Sequence, residues 1–100
     1  MIEVELQITV DATRDEVVRV VEQTCIANDL TCARKGTLAG YPGCIHWHFR
    51  NDKQKGTLEI TWWDSENRLW FKVAGGRTGD WINEALPRLK EKIESSFQEA

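Results

Sequence analysis

Two histidines, His46 and His48, stand two residues apart in a segment where apolar and polar residues alternate. Because successive side chains of a strand point to opposite faces, this spacing places both imidazoles on one face of a β-strand. Glu59 lies in the next alternating run, and a hairpin would bring its carboxylate beside His48. Zinc accepts imidazole and carboxylate ligands, so these three residues are the candidates for a metal site. A single His-x-His pair is a weak signal, and the sequence favours a solvated sheet face with no bound metal or cofactor.

A cysteine nucleophile is a second interpretation of the same face. Cys44 lies two residues before His46, so a strand would present the thiol and the imidazole on one side. Catalysis needs a base within hydrogen-bond reach of the thiol and a site that excludes water. We expect the outer face of the sheet to be open, and therefore assign no catalytic residue. The question of enzymatic activity stays open at this point.

A glycine-rich segment, Gly75-Gly76-Arg77-Thr78-Gly79, precedes the last predicted helix. Free backbone amides before a helix favour a negative charge, and Arg77 would add a cation, so Arg77 is an anion-binding candidate. The segment matches neither of the glycine-rich phosphate-binding motifs. A turn that releases the chain from the sheet explains the glycines equally well.

Large aromatic side chains are also predicted on the outer face of the sheet. By alternation, Trp63 and Trp70 point outward, and Arg68 could stack on Trp63. A monomer seldom leaves so much aromatic area in water, and tryptophan and arginine are enriched at binding hot spots. We therefore expect a non-catalytic interaction or ligand-binding module. It would associate through this face as a homodimer or with a protein partner, or hold a small molecule there, with His46 and His48 among the contacting residues.

The polarity pattern predicts the elements that position these side chains. Alternation indicates five strands and helical spacing indicates two helices, in the order β-α-β-β-β-β-α. The first strand is expected to run from Ile2 to Val10, and Thr13 with Glu16 forms a capping box that begins the first helix. Pro87 should interrupt the last helix and kink it. The prediction is a two-layer α+β fold, with a five-stranded antiparallel sheet and both helices on one face.

Symmetric hairpins would decide which side chains are neighbours. The expected outward rows are Lys72–Glu59–His48, Trp70–Thr61–His46 and Arg68–Trp63–Cys44. The expected inward aromatic residues are Trp47, Trp62, Phe71 and Phe97. A pocket between the last helix and the sheet is the alternative place for a small-molecule or enzyme site, but these inward side chains should fill it.

The run Ile8-Thr9-Val10-Asp11-Ala12-Thr13-Arg14-Asp15-Glu16-Val17 resembles the strand-to-helix opening of helix-grip domains, the START-like and birch-pollen-allergen-like family. The closing helix after a meander of strands is also similar to that family. The resemblance implies a helix-grip architecture and a hydrophobic ligand. Family members usually carry more strands and extra helices between the first strand and the meander.

Composition sets the broad class of the protein. One hundred residues with 41% hydrophobic and 29% charged side chains predict a single α+β domain over residues 1–100. The net charge of −3 argues against nucleic acid as a partner. No segment approaches the roughly 18–20 apolar residues of a membrane span, and the alternating start is not that of a signal peptide. Three cysteines without a CxxC motif favour reduced thiols, so we expect a cytoplasmic protein.

Overall fold

The computed structural model describes residues 1–98 and contains the elements in the predicted order. They are β1 (Ile2–Leu6), α1 (Arg14–Ala27), β2 (Thr31–Gly36), β3 (Ile45–Arg50), β4 (Leu58–Trp63), β5 (Arg68–Val73) and α2 (Asp80–Gln98), with a 3-10 turn at Asp64–Glu66. The strands form one antiparallel sheet in the spatial order β1-β5-β4-β3-β2. The predicted α+β class and five-stranded antiparallel sheet are confirmed.

The two central hairpins have the predicted register. His46 pairs with Thr61 and His48 with Glu59 across β3 and β4. Across β4 and β5, Thr61 pairs with Trp70, and the remaining pairs also agree with the predicted rows. Cys44 is the exception, because it precedes β3 and lies outside the paired residues. The turn into β5 is tight, and it closes on Asn67 in the left-handed conformation with φ of 49°.

The core lies between the sheet and the two helices. Trp47, Trp62 and Phe71 are fully buried, and Phe97 of α2 is 6% exposed, so the predicted inward set is confirmed. These side chains occupy the space that an inner pocket would need. Trp47 Nε1 donates a hydrogen bond to Glu22 Oε2 of α1 at 2.9 Å, which ties the sheet to the helix layer.

The first helix begins at the predicted capping box. The amide of Glu16 donates to Thr13 Oγ1 at 3.2 Å, and the amide of Thr13 donates to Glu16 Oε1 at 3.2 Å. Both amides would otherwise lack an intrahelical partner. We expect Thr13→Ala to lower the free energy of unfolding by about 1 kcal/mol in urea denaturation. Thr13→Ser keeps the accepting oxygen and is the matched control; an equal loss in both variants would contradict the capping role.

Two predicted details of the elements are wrong. The first strand ends at Leu6 rather than Val10, and Val10 is 95% exposed. The reason is the length of the partner strand. Leu6 pairs with Leu69, and β5 begins at Arg68, so residues 8–10 have no residue of β5 to pair with. Pro87 does not interrupt the last helix, which is continuous from Asp80 to Gln98, although the proline still removes one amide donor. The predicted kink stays a prediction.

Within residues 1–98, neither helix combines the length and the apolar composition needed to cross a bilayer. The longer one, α2, presents its apolar side chains to the core. Its remaining faces carry charged residues, as in an amphipathic helix that covers a sheet.

Candidate functional site

The outer face of the sheet is partly covered by the connection between β2 and β3, residues 37–44, which we call the outer loop. The ring of Tyr41 lies 5.0 Å from that of Trp63 and 5.4 Å from that of Trp70, measured between centroids. Trp63 Nε1 donates a hydrogen bond to the carbonyl oxygen of Pro42 at 3.1 Å. The outer face is therefore not the open surface that the sequence predicts.

The outer tryptophans differ in exposure as a result. Trp70 is 6% exposed, so the expectation that it leaves a large aromatic area in water is wrong. Trp63 is half-buried. Association of the protein through this face stays a prediction, although the area offered by the two rings is smaller than expected.

Arg68 stacks on a different ring from the one predicted. Its guanidinium lies 4.7 Å from the ring centroid of Trp70 rather than over Trp63. The reason is the edge strand β1, where Glu5 Oε1 accepts from Arg68 Nη2 at 2.6 Å. This ion pair draws Arg68 towards β1 and away from β4, and it closes one more side of the Trp70 ring.

Three polar side chains converge beneath the outer loop, as the predicted register requires. His46 Nε2 lies 3.1 Å from His48 Nε2 and 3.2 Å from Glu59 Oε1. His48 Nε2 lies 3.9 Å from the same oxygen of Glu59. The three groups can each offer one ligand atom, and these atoms all lie within 4.8 Å of one another. Among residues 1–98, this is the only group of three or more His, Cys, Asp or Glu side chains whose ligand atoms lie this close together.

Thr61 holds the His46 ring in place. A hydrogen bond of 2.7 Å joins Thr61 Oγ1 to His46 Nδ1, and Thr61 is 1% exposed. With Nδ1 engaged in this way, Nε2 of His46 points towards His48 and Glu59. A hydrogen bond on the second ring nitrogen is the usual device that orients a metal-binding imidazole.

Burial favours the neutral form of His46. The side chains of His46, His48 and Glu59 are 8%, 19% and 12% exposed. Removal from water lowers the pKa of His46, and the charge of Glu59 opposes this effect. The neighbouring Arg34 lowers the same pKa further. A neutral imidazole keeps the nitrogen lone pair that a metal ion needs.

Cys44 has a different role from the nucleophile considered above. It is 2% exposed, and its Sγ accepts a hydrogen bond from the amide of Leu38 at 3.2 Å. Both residues belong to the outer loop. The thiol of Cys44 therefore links the two ends of the outer loop. Within residues 1–98, its hydrogen bonds are with the backbone amide and carbonyl of Leu38.

The histidines open into a pocket of about 360 Å³ whose other walls are the start of the outer loop and two basic residues. Arg34 of β2 and Arg77 of the β5–α2 connection both line it. Sequence reasoning missed Arg34. Its position on β2 opposite His48 was the available signal, but a bulge between Cys32 and Arg34 shifts the register and hides it.

Packing explains one glycine of the segment before α2. A Cβ on Gly79 would lie 2.1 Å from the carbonyl oxygen of Lys55, so no larger residue fits there. The amide of Thr57 also donates to the carbonyl oxygen of Arg77 at 2.9 Å. The segment lies against the start of β4, and Arg77 lines the histidine pocket. Its role in anion binding stays a prediction.

Comparisons of the chain with protein-family models, with curated proteins and with solved structures found no match. The helix-grip resemblance therefore stays a prediction. What fold and site define together is a small α+β protein with a His-His-Glu group on the outer face of its sheet.

Proposed function

We propose that the protein binds a divalent transition metal ion, zinc above all, through His46, His48 and Glu59. The observation that carries the proposal is the convergence of three ligand atoms from two adjacent strands. Two imidazoles and one carboxylate form a ligand set that zinc uses in proteins. The strands are held by the core beneath them, so the ligands are positioned before an ion arrives.

The distances support this choice of ion. Tetrahedral zinc with bonds of about 2.0–2.1 Å keeps its ligand atoms roughly 3.3–3.4 Å apart. The separations of 3.1, 3.2 and 3.9 Å among the three atoms lie around that value. A point about 2 Å from all three atoms lies in their plane, so tetrahedral zinc requires His48 and Glu59 to approach each other by about 0.5 Å.

The hydrogen bonding of His46 is compatible with a cation. In the tautomer that carries its proton on Nδ1, His46 donates to Thr61 and presents a lone pair at Nε2 towards Glu59 Oε1 at 3.2 Å. In the other tautomer Nε2 donates to Glu59 and Thr61 donates to Nδ1. Metal binding through Nε2 requires the first tautomer, in which a divalent ion would engage both Nε2 and the carboxylate oxygen. Three protein ligands leave a fourth position of zinc open, which is the arrangement of reactive rather than structural zinc sites.

Zinc titration of the metal-free protein tests the proposal. We expect one ion per chain by isothermal titration calorimetry, and a gain of about 2.7 kcal/mol in unfolding free energy at a zinc concentration 100 times the dissociation constant. His48→Ala should weaken zinc binding at least about 100-fold, since loss of an outer-shell partner alone costs about 10–100-fold. Thr61→Val should weaken it by about 10–100-fold through loss of the His46 hydrogen bond.

Glu5→Gln is the matched control, because it removes an exposed carboxylate of the same sheet that lies outside the group. It should leave zinc affinity unchanged. Circular dichroism confirms that each variant is folded. Absence of binding, or equal affinity in wild type, His48→Ala and Glu59→Gln, would show that these residues do not form a metal site.

We also propose that the protein works in a reducing, cytoplasm-like compartment. All three cysteines are unpaired: Cys25 and Cys44 are buried and Cys32 is exposed. Burial raises the pKa of the Cys25 thiol to about 12, so this residue stays an unreactive thiol. Exposed free thiols such as that of Cys32 persist where the redox environment keeps them reduced, and this supports the assignment.

A further inference from the structure

We propose that the metal ion takes a small oxyanion as its remaining ligand, and that Arg34 and Arg77 bind this anion. The inference rests on the proposed metal site and names the chemical class that would complete it. The ligand class is a carboxylate or phosphate group on a molecule small enough for the pocket beside the histidines.

The first argument is that two arginines line the same pocket. Arg34 and Arg77 come from separate parts of the chain, yet both line the pocket into which His46, His48 and Glu59 open. Arg34 pairs with His48 across β2 and β3. The pocket volume of about 360 Å³ is at the small end of ligand sites, which suits a compact anion.

The second argument is that both charges are uncompensated within residues 1–98. Neither Arg34 nor Arg77 forms an ion pair with a carboxylate in the described part of the chain, a property they share with most of its basic side chains. Both arginines are exposed, so their charges are accessible to a ligand that enters the pocket. Guanidinium groups recognise carboxylate and phosphate through paired hydrogen bonds, so two of them at one pocket favour an oxyanion.

The third argument is the charge of the loaded site. Glu59 is the one acidic residue that lines the pocket, whereas two arginines line it. A bound divalent ion would add two further positive charges. The excess of positive charge favours a negatively charged ligand at the open position of the metal. That ligand would contact the ion and the arginines at the same time.

Cobalt(II) in place of zinc makes the test direct, because its visible absorption responds to a change in the metal's ligands. Cobalt-loaded protein in phosphate-free buffer is titrated with inorganic phosphate and, separately, with acetate. We expect a saturable spectral change with at least one probe. Arg34→Gln combined with Arg77→Gln should weaken that binding at least tenfold and leave cobalt bound. Arg19→Gln, which removes an exposed arginine of α1, is the control and should change neither.

The outcomes separate the inference from the proposed function. Failure of cobalt and zinc to bind would overturn the metal site and the anion with it. Normal metal binding without any spectral response to phosphate or acetate would overturn the anion proposal alone. The same holds if the doubly substituted protein binds the anion as tightly as wild type does. Anion binding that needs both the metal and the two arginines would support the inference.

Discussion

Trp62→Ala is expected to lower the free energy of unfolding by about 3–5 kcal/mol. Trp62 is fully buried in β4, with Ile45 of β3 on one side and Leu69 of β5 on the other. Its removal leaves a cavity at the centre of the sheet that the packed helices cannot close. Urea denaturation followed by circular dichroism measures the loss. The effect should be large, because the total stability of a domain of this size is only about 5–15 kcal/mol.

Trp62→Phe is the informative control. Trp62 Nε1 is buried without a hydrogen-bond partner in the described chain, whereas Trp47 Nε1 is bonded to Glu22. Phenylalanine at position 62 keeps much of the ring and removes the unpaired donor. It should therefore cost less than Trp47→Phe, which removes a hydrogen bond to Glu22 Oε2 and leaves that oxygen with Lys35 alone. A loss below about 1 kcal/mol for Trp62→Ala would contradict its assignment to the core.

Trp70→Ala is expected to lower the free energy of unfolding by about 3 kcal/mol, although Trp70 is on the face away from the helices. The ring is 6% exposed, and Tyr41 and Arg68 cover it. Trp63→Ala should cost about 1 kcal/mol, because this ring is half-buried and loses one hydrogen bond to Pro42. Urea denaturation of both variants gives the comparison, and equal, small losses would contradict internal packing of Trp70.

Sedimentation of the Trp63→Ser/Trp70→Ser variant separates packing from association. If the two rings form an interface between copies, wild type sediments as a dimer and the variant as a folded monomer. If the rings hold the outer loop, the variant loses stability whatever the assembly state of wild type. The helix-facing residue Trp47 provides the reference, because its replacement should unfold the chain in either case.

The central sheet was predictable because its register follows from local rules. Alternation assigns one face to each side chain, and short polar hairpins leave little freedom in pairing. The approach of His48 to Glu59 and of His46 to Thr61 follows from this register alone. The C-terminal end of β1 was harder to predict, because it depends on where β5, its partner far along the chain, begins.

The covering of the outer face could not be predicted. The outer loop has no periodic pattern, and Tyr41 packs on Trp63 and Trp70, which are far along the chain. The start of this loop also lines the pocket beside His46. Because the loop position is not encoded locally, the sequence predicts solvated histidines, and no local pattern places Arg34 and Arg77 at one pocket.

The pairing of β1 with β5 has a consequence for the order of assembly on the ribosome. β1 is synthesised before every other strand, yet Ile2 finds its partner only when Val73 has emerged. The β3-β4-β5 meander has short loops and can form earlier, since local contacts cost less chain entropy. Until then β1 is an unpaired strand, and the charges of Glu3 and Glu5 along it discourage pairing with another nascent chain.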